Sequence, residues 1–439
     1  MKAKKNSWVL ALMDRLQGDK VIWMILMMLV LLSVVCMFSS TSRLIEGGRT
    51  RVDIVRSQLM VVAAGLVVVL VLYNIRSIEF FRKVSFWMFP LSLVMLVALR
   101  ILPGTTPGGP DPLVCAPTIN GAKRVLQIMG KQIHVLEITK IAMVLYLGWA
   151  LDAFKNKRIQ WPREELPQSI LYIYLPFIAV FMLALPSSNT AALFIGGIMF
   201  LVILLGGGSK RDLGVILAAA VVILALCFGV YKVSGGHAFA RIGTGISRIF
   251  DHHDWEQQFL ESPKYSSAWD EARDHLQQGY SAKIAIHEGG IIGKGPGQST
   301  QRYIVPDMPS DYMYSFIIEE YGLLGGILVL ALYVSLMARG ALIARDNGDS
   351  LYAKLVVAGL SLLIVGQAYL HKMVNVDIGP MTGQTLPMIS HGNSAFLCFS
   401  VAFGLLLSFS RQARKRIETE TAKADPLIED PVKFEKDEL

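Results

Sequence analysis

Three acids in the last third of the chain have the type and spacing for chemistry. Asp311 follows Pro306 and Pro309 at the point where a polar segment meets the start of an apolar helix. A carboxylate placed there can take a proton from an incoming hydroxyl, and the helix dipole favours its ionised form. The same place also suits a helix cap, which needs no catalysis. Glu319 and Glu320 lie about two turns further into that apolar run, where acids are costly enough to be functional or paired. Lys140, inside another apolar run, is a basic residue of the kind such a pair would need.

Two polar segments flank these acids. Gly289, Gly290, Gly293, Gly295 and Gly297 make a glycine-dense turn around Lys294, a composition that lets backbone N–H groups approach an anion. It lacks the preceding strand and the Lys-Ser/Thr ending of a nucleotide-binding loop, and the alternative is a flexible re-entrant turn. Further on, the loop from Asn375 through Pro380, Thr382, Gly383, Pro387 and Ser390 to Ser394 is rich in hydroxyls, amides and turn formers. Broken backbone at membrane depth is tolerated where it lines a cavity, and the alternative is a simple hairpin. The run from Asp251 through His252 and His253 to Asp254 is read as a solvated loop, because adjacent side chains rarely converge on one ion.

The elements that must hold these residues are apolar helices. Of 439 residues, 53% are hydrophobic and 17% charged, well below the roughly 25% charge of soluble domains. Apolar runs fall near 21–38, 58–73, 84–102, 135–151, 170–185, 190–205, 213–230, 312–337, 351–370 and 394–409. The expectation is an all-α polytopic membrane protein of about ten transmembrane helices with one large extracytoplasmic loop near 233–310. The divisions are a cytoplasmic segment 1–18, a ten-helix domain 19–414 and a charged, disordered tail 415–439. The loop is expected to begin polar and irregular, then turn Gly-rich.

Basic clusters at Lys2/Lys4/Lys5, Arg76/Arg82/Lys83, Lys155/Lys157/Arg158/Arg163, Lys210/Arg211, Arg339/Arg345 and Arg414/Lys415/Arg416 fall on one side. The positive-inside rule makes that side cytoplasmic, with both termini inside. The opposite side carries its own excess, Arg43, Arg49, Arg51, Arg56, Lys123, Arg124 and Lys131, which a polyanionic substrate or lipid headgroups would explain. The basic start is read as leading into a retained first helix. Cys36, Cys115, Cys227 and Cys398 show no paired spacing, which argues against a disulfide framework or zinc site. The final Lys436 to Leu439 matches a lumenal retention signal only by coincidence, since this tail is expected in the cytoplasm.

At these residues the sequence resembles the SEDS family of shape, elongation, division and sporulation proteins. Gly289 through Ser299 match its glycine turn. Pro306, Ser310, Asp311, Tyr312 and Tyr314, followed by Glu319, Glu320 and Gly322, match its next motif. Asn375, Pro380, Thr382, Gly383, Leu386, Pro387, Ser390, Gly392 and Ser394 match its last loop, and Asn120 to Arg124 with Glu137 and Lys140 match two earlier ones. Departures stand at Ser187 and Asn189, where a carboxylate often found nearby is absent, and at His391 and Asn393.

The resemblance implies a peptidoglycan glycosyltransferase that polymerises lipid II, with inversion at the sugar and undecaprenyl pyrophosphate as leaving group. Asp311 is the expected catalytic base. Arg124, Glu137, Lys140, Gly293, Gly295, Ser299, Glu319, Glu320, Asn375, Thr382, Ser390 and Ser394 are the expected substrate-binding set. A divalent cation, Mg or Mn, is implied, with ligands unknown. So are a single-span class B penicillin-binding transpeptidase and other divisome proteins as partners, with no nucleic acid. The basic N-terminal extension and the tail after Arg416 lean toward the division branch, at the septum of the bacterial inner membrane. The alternatives are an elongation polymerase, a lipid II flippase or a divisome scaffold.

Overall fold

The computed structural model describes residues 17–40, 51–105, 112–119, 121–207, 252–264, 266–305, 308–378 and 383–424, with isolated positions at 214, 225 and 229. Apolar runs become helices because, in lipid, each backbone N–H must find its acceptor within its own segment. The helices are α1 (Lys20–Ser40), α2 (Arg51–Asn74), α3 (Ile78–Phe86), α4 (Met88–Ile101), α5 (Val135–Lys155) and α6 (Glu165–Ser169). A π-helical turn, Ile170–Tyr174, joins α6 to α7 (Leu175–Ala184), and α8 (Asn189–Leu205) follows. Then come α9 (His252–Glu261), α10 (Ser267–Gly289), α11 (Met313–Asp346), α12 (Leu351–Asn375) and α13 (Asn393–Ala424).

Among the described residues, seven helical stretches are long and apolar enough to cross a membrane, and α8 is a shorter apolar helix. α5, buried along most of its length, lies among them. These account for all the expected spans except 213–230, which apart from 214, 225 and 229 lies outside the described residues, as do 1–16, 233–251 and 425–439. The protein is an all-α polytopic membrane protein.

Two regions differ from expectation. The polar stretch expected to be irregular forms α9 and α10, the second started by Ser266, whose hydroxyl accepts from Trp269 N at 3.2 Å. Between α4 and α5, five short strands make a three-stranded antiparallel sheet, β1-β4-β5 (Val114–Cys115, Val125–Ile128, Lys131–His134), and a β2-β3 hairpin (Thr118–Ile119, Ala122–Lys123). Strands of two to four residues are too short to show the alternation that would reveal them.

The two ends of the bundle are distinct. At one, Asp19 pairs with Arg339, Gln17 accepts from Arg411 Nε at 2.8 Å, and Arg416 donates to Asp346 O at 2.6 Å. This is the terminal end. The small sheet and the glycine turn belong to the other, the loop end.

α11 is the element that shapes the loop end, and it is not straight. Gly322 has φ 70° and ψ −176°, and the chain folds back there. The Tyr314 hydroxyl reaches Gly326 O at 3.4 Å, although twelve residues of straight helix would span about 18 Å. α11 is therefore a hairpin of a short arm, 313–321, and a long arm, 323–346. The fold-back reverses the expected order of depth. Ser39, in the last turn of α1, meets Glu320, whereas Ser33 meets Ile389 O at 3.0 Å beside Ser390. Six residues of helix are about 9 Å. Glu319 and Glu320 thus lie at the tip, nearer the loop end, and Asp311 lies deeper, at the foot.

Candidate functional site

The tip is built by the glycine turn. Lys294 N and Gly295 N donate to the carbonyls of Glu319 and Glu320 at 2.9 and 3.0 Å, while Leu323 N and Leu324 N donate to Gly290 O and Ile291 O at 2.9 and 3.3 Å. The turn thereby supplies the backbone bonds that the reversal removes. Only glycine fits at the closest approaches. A Cβ at Gly293 would lie 2.4 Å from Glu320 O, and one at Gly322 would lie 2.2 Å from Ile291 O, both at positive φ.

Both tip carboxylates are buried; Glu319 is fully occupied, while Glu320 uses Oε1 and leaves Oε2 without a hydrogen-bond partner among the described residues. Glu319 accepts from Ser299 Oγ at 2.5 Å, Thr300 N at 2.8 Å, Lys294 Nζ at 2.9 Å, Thr300 Oγ1 at 3.0 Å and Gln301 N at 3.2 Å. Glu320 accepts from Ser39 Oγ at 2.5 Å and Gly297 N at 3.0 Å, with Arg302 NH1 3.8 Å away. Their basic partners are Lys294 and Arg302, not Lys140. Lys294 also bonds Glu288, and that bond holds the Glu288 carboxyl below its usual range. Burial pulls the Lys294 ammonium down, but the hydrogen bonds to Glu288 and Glu319 outweigh it and keep it above the ordinary lysine value.

The foot is assembled by the last turn of α12 and the loop before α13. Asn375 Nδ2 donates to Asp311 O at 3.0 Å while its Oδ1 accepts from Ser315 N at 2.9 Å. His371 Nε2 accepts from Tyr314 N at 3.3 Å, and its Nδ1 meets Gln384 O at 2.7 Å. The cap for these two amides of the short arm thus comes from α12. Ser390 Oγ donates to Ser310 O at 2.7 Å and accepts from Leu386 N at 2.9 Å, and His391 N donates to Pro309 O at 2.9 Å. The Asp311 side chain is half-buried and accepts from Ser310 Oγ at 2.9 Å. It faces exposed Gly383, where a Cβ would come within 3.0 Å of Oδ2.

Gln384, the residue after Gly383, belongs to a cluster around Lys140. Lys140 Nζ donates to Glu137 Oε1 at 2.6 Å, Gln367 Oε1 at 2.7 Å and Gln384 Oε1 at 2.9 Å. Lys372 lies in the same turn of α12 as His371, with its ammonium 4.9, 5.3 and 5.4 Å from the rings of Tyr333, Tyr314 and Tyr369. Its Nζ is buried without a hydrogen-bond acceptor among the described residues.

A third group gathers where the small sheet meets α4 and α8. Arg124 Nε donates to Ser187 O at 3.0 Å, Arg100 donates to Ser187 Oγ at 2.8 Å and to Leu183 O at 3.1 Å, and Lys123 donates to Leu102 O at 2.6 Å. Ser187, one of the departures, thus receives a guanidinium on its hydroxyl. Burial pushes the His134 imidazole down; Glu137 opposes the shift, and Lys140 and Arg124 add to it. Burial also lowers His391. Asn189 and Asn393 each begin a helix.

The structure therefore sorts the expected residues into groups. Asp311, Asn375 and Ser390 meet at the foot, Lys140 and Glu137 pair with each other beside Gln367 and Gln384, and Glu319, Glu320, Gly293, Gly295 and Ser299 meet at the tip. Arg124 stands over Ser187, and Ser394 bonds Gln132 O at 3.2 Å on β5. Thr382 lies outside the described residues. Sequence reasoning missed Gln367, Lys372, Gln384, Arg302 and Arg100; the signal available for Gln367 and Lys372 was a polar residue inside an apolar helix.

The family model described as cell cycle protein, named for FtsW, RodA and SpoVE, matches residues 19–415. The chain belongs to this family. It is 28% identical over 332 residues to a probable peptidoglycan glycosyltransferase FtsW of Caulobacter vibrioides, covering 75% of this chain and 73% of that one. Its fold is similar to a chain of a peptidoglycan synthase complex that coordinates polymerization and crosslinking, with a TM-score of 0.63 at 20% identity over 90% of this chain and 98% of that one. It is also similar to the rod shape determining protein RodA of Thermus thermophilus, with a TM-score of 0.57 at 19% identity over 90% and 97%.

Proposed function

We propose that this family member is a peptidoglycan glycosyltransferase of the FtsW type, which polymerises lipid II into glycan strands at the division septum. The observation that carries this reading is the placing of Asp311. It is a half-exposed carboxylate at the foot of a re-entrant arm, its backbone fixed by Asn375 and its neighbours by Ser390 and His391. The matching FtsW relatives support the same chemistry.

In the reaction, the acceptor sugar hydroxyl gives its proton to an Asp311 carboxylate oxygen as it attacks the anomeric carbon of the donor. The bond to the diphosphate breaks with inversion, and undecaprenyl pyrophosphate leaves with the bonding pair. Positioned proton removal of this kind contributes about 10²–10⁴ in rate. Arg100, Lys123 and Arg124 bring positive charge to the loop end, where a departing diphosphate would be stabilised. For the Mg or Mn ion the family implies, no group of three or more His, Cys, Asp or Glu side chains among the described residues could hold a metal ion. The donor set among the described residues does not fit an all-protein cation site, and the steps above use none.

The orientation that suits this chemistry puts both termini in the cytoplasm and the loop end outside. A single-span class B penicillin-binding transpeptidase is the natural partner, since the chain is similar in fold to a member of a synthase complex, and other divisome proteins would recruit the pair to the septum. Purified protein with its cognate transpeptidase, given lipid II, should yield glycan strands. Movement of lipid II across vesicles without any polymer would replace this reading with a flippase.

A further inference from the structure

The terminal end of the bundle holds a cavity of about 420 Å³ between α3, α5 and the π-helical turn. Phe86, Trp149 and Tyr172 supply its aromatic wall, and Arg82, Arg158 and Gln160 its polar lining. The aromatic wall is continuous: the Trp149 ring lies 4.9 Å from Phe86 and 6.2 Å from Tyr172. Tyr172 belongs to the π-helical turn, a local widening of helix that recurs at functional sites.

The polar side carries two guanidinium groups, both already paired with acids. Arg82 and Arg158 share one oxygen of buried Asp152, at 3.5 and 3.2 Å, and Asn156 takes the other at 3.0 Å. Arg82 NH1 also meets Glu79 at 2.7 Å, and the Arg82 atom that faces Asp152 is its buried Nε, an ion pair without hydrogen-bond geometry. Segments 78–86 and 152–165 carry six cations against four acids. Exposed tryptophans stand next in sequence to lining residues: Trp87 follows Phe86 and Trp161 follows Gln160, 64% and 69% exposed, among the exposed polar residues Lys157, Arg163, Glu164 and Glu165. Exposed tryptophan beside basic residues at the ends of spans marks headgroup level.

We propose that this cavity binds an anionic phospholipid, with its phosphate on Arg158 and Arg82 and the first part of an acyl chain along Trp149, Phe86 and Tyr172. Charge selects the headgroup, since basic pockets between spans take anionic lipid heads. The aromatic wall selects a lipid over a free phosphate, which would leave that wall unused. This site is separate from Asp311 and does not rest on the proposed reaction.

The test uses the delipidated full chain in mild detergent, with bound lipid counted by native mass spectrometry. Phosphatidylglycerol, phosphatidylcholine and inorganic phosphate are the three probes. One phosphatidylglycerol should be retained roughly 5-fold or more over phosphatidylcholine, the size of one cation's attraction. Arg158→Gln should abolish that preference. Arg158 is half-exposed and Asp152 keeps Arg82, so the variant should fold. Phosphatidylglycerol with brominated chains should quench tryptophan fluorescence in the parent and measurably less in Trp149→Phe. Equal retention of the two lipids, unchanged selectivity in Arg158→Gln, or unchanged quenching in Trp149→Phe would overturn the proposal. Saturable phosphate binding that displaces the lipid would make it a small-anion site instead.

Discussion

At the tip of the α11 hairpin, two carboxylates are sealed: Glu319 and Glu320 are 0% and 1% exposed and surrounded by donors from the glycine turn. At its foot, Asp311 is half-exposed beside the open backbone of Gly383. All three acids stand within ten residues of one another on one arm, yet their surroundings assign them different work. A carboxylate whose oxygens are used by backbone amides and an ammonium holds structure together. One that must accept a proton from a substrate has to be reachable by it. On this reading the tip is a latch that sets the arm, and the foot is where the arm delivers a base.

The comparison breaks first if the latch can be opened without harm. Gly322→Ala should be the most damaging single change, because a Cβ would lie 2.2 Å from Ile291 O at φ 70°. The strain should exceed about 3 kcal/mol, read as loss of monodisperse protein on size-exclusion chromatography. Normal yield would mean the hairpin is not the native form of α11. Glu319→Gln should come next, costing about 2–3 kcal/mol through its charge-assisted bonds. Its thermal midpoint should fall clearly, whereas polymerisation per folded molecule should drop less than about 10-fold, below the range for a lost base.

Lys372 sharpens the comparison from the other side. Its ammonium pins Tyr314 of the short arm against Tyr333 of the long arm. Lys372→Met loses these ring contacts, each about 0.5–2 kcal/mol, but also relieves a buried charge, so net stability should move little. The rate should still fall several-fold at unchanged KM as the arm loosens, with Lys372→Arg restoring it. Equal loss in both variants would make the contact mere packing.

How much of this was legible follows the range of each interaction. The spans could be read because burial in lipid leaves long apolar runs. Glu137 and Lys140, three residues apart on one helix, pair as their spacing allows. The fold-back at Gly322 could not be read, because one glycine in an apolar run looks like tolerated helix. With it went the true order of depth, and hence Lys294 and Arg302 as partners of the tip acids. Lys294 sits in a glycine-rich turn 25 residues before Glu319, where local pattern says nothing about who it meets. His371 and Asn375 cap the short arm from another helix, which no cap signature in the arm's own sequence records.

The central claim, that the foot carries the chemistry and the tip carries the structure, is tested most directly by Asp311→Asn beside Glu319→Gln. Both are purified with the cognate transpeptidase, given lipid II, and compared at matched amounts of folded protein by gel analysis of glycan strands. Asp311→Asn should insert normally, keep its partner and make at least about 10²-fold less polymer, while Glu319→Gln should still polymerise. Near-normal strands from Asp311→Asn, or a folded Glu319→Gln protein equally unable to make them, would contradict it.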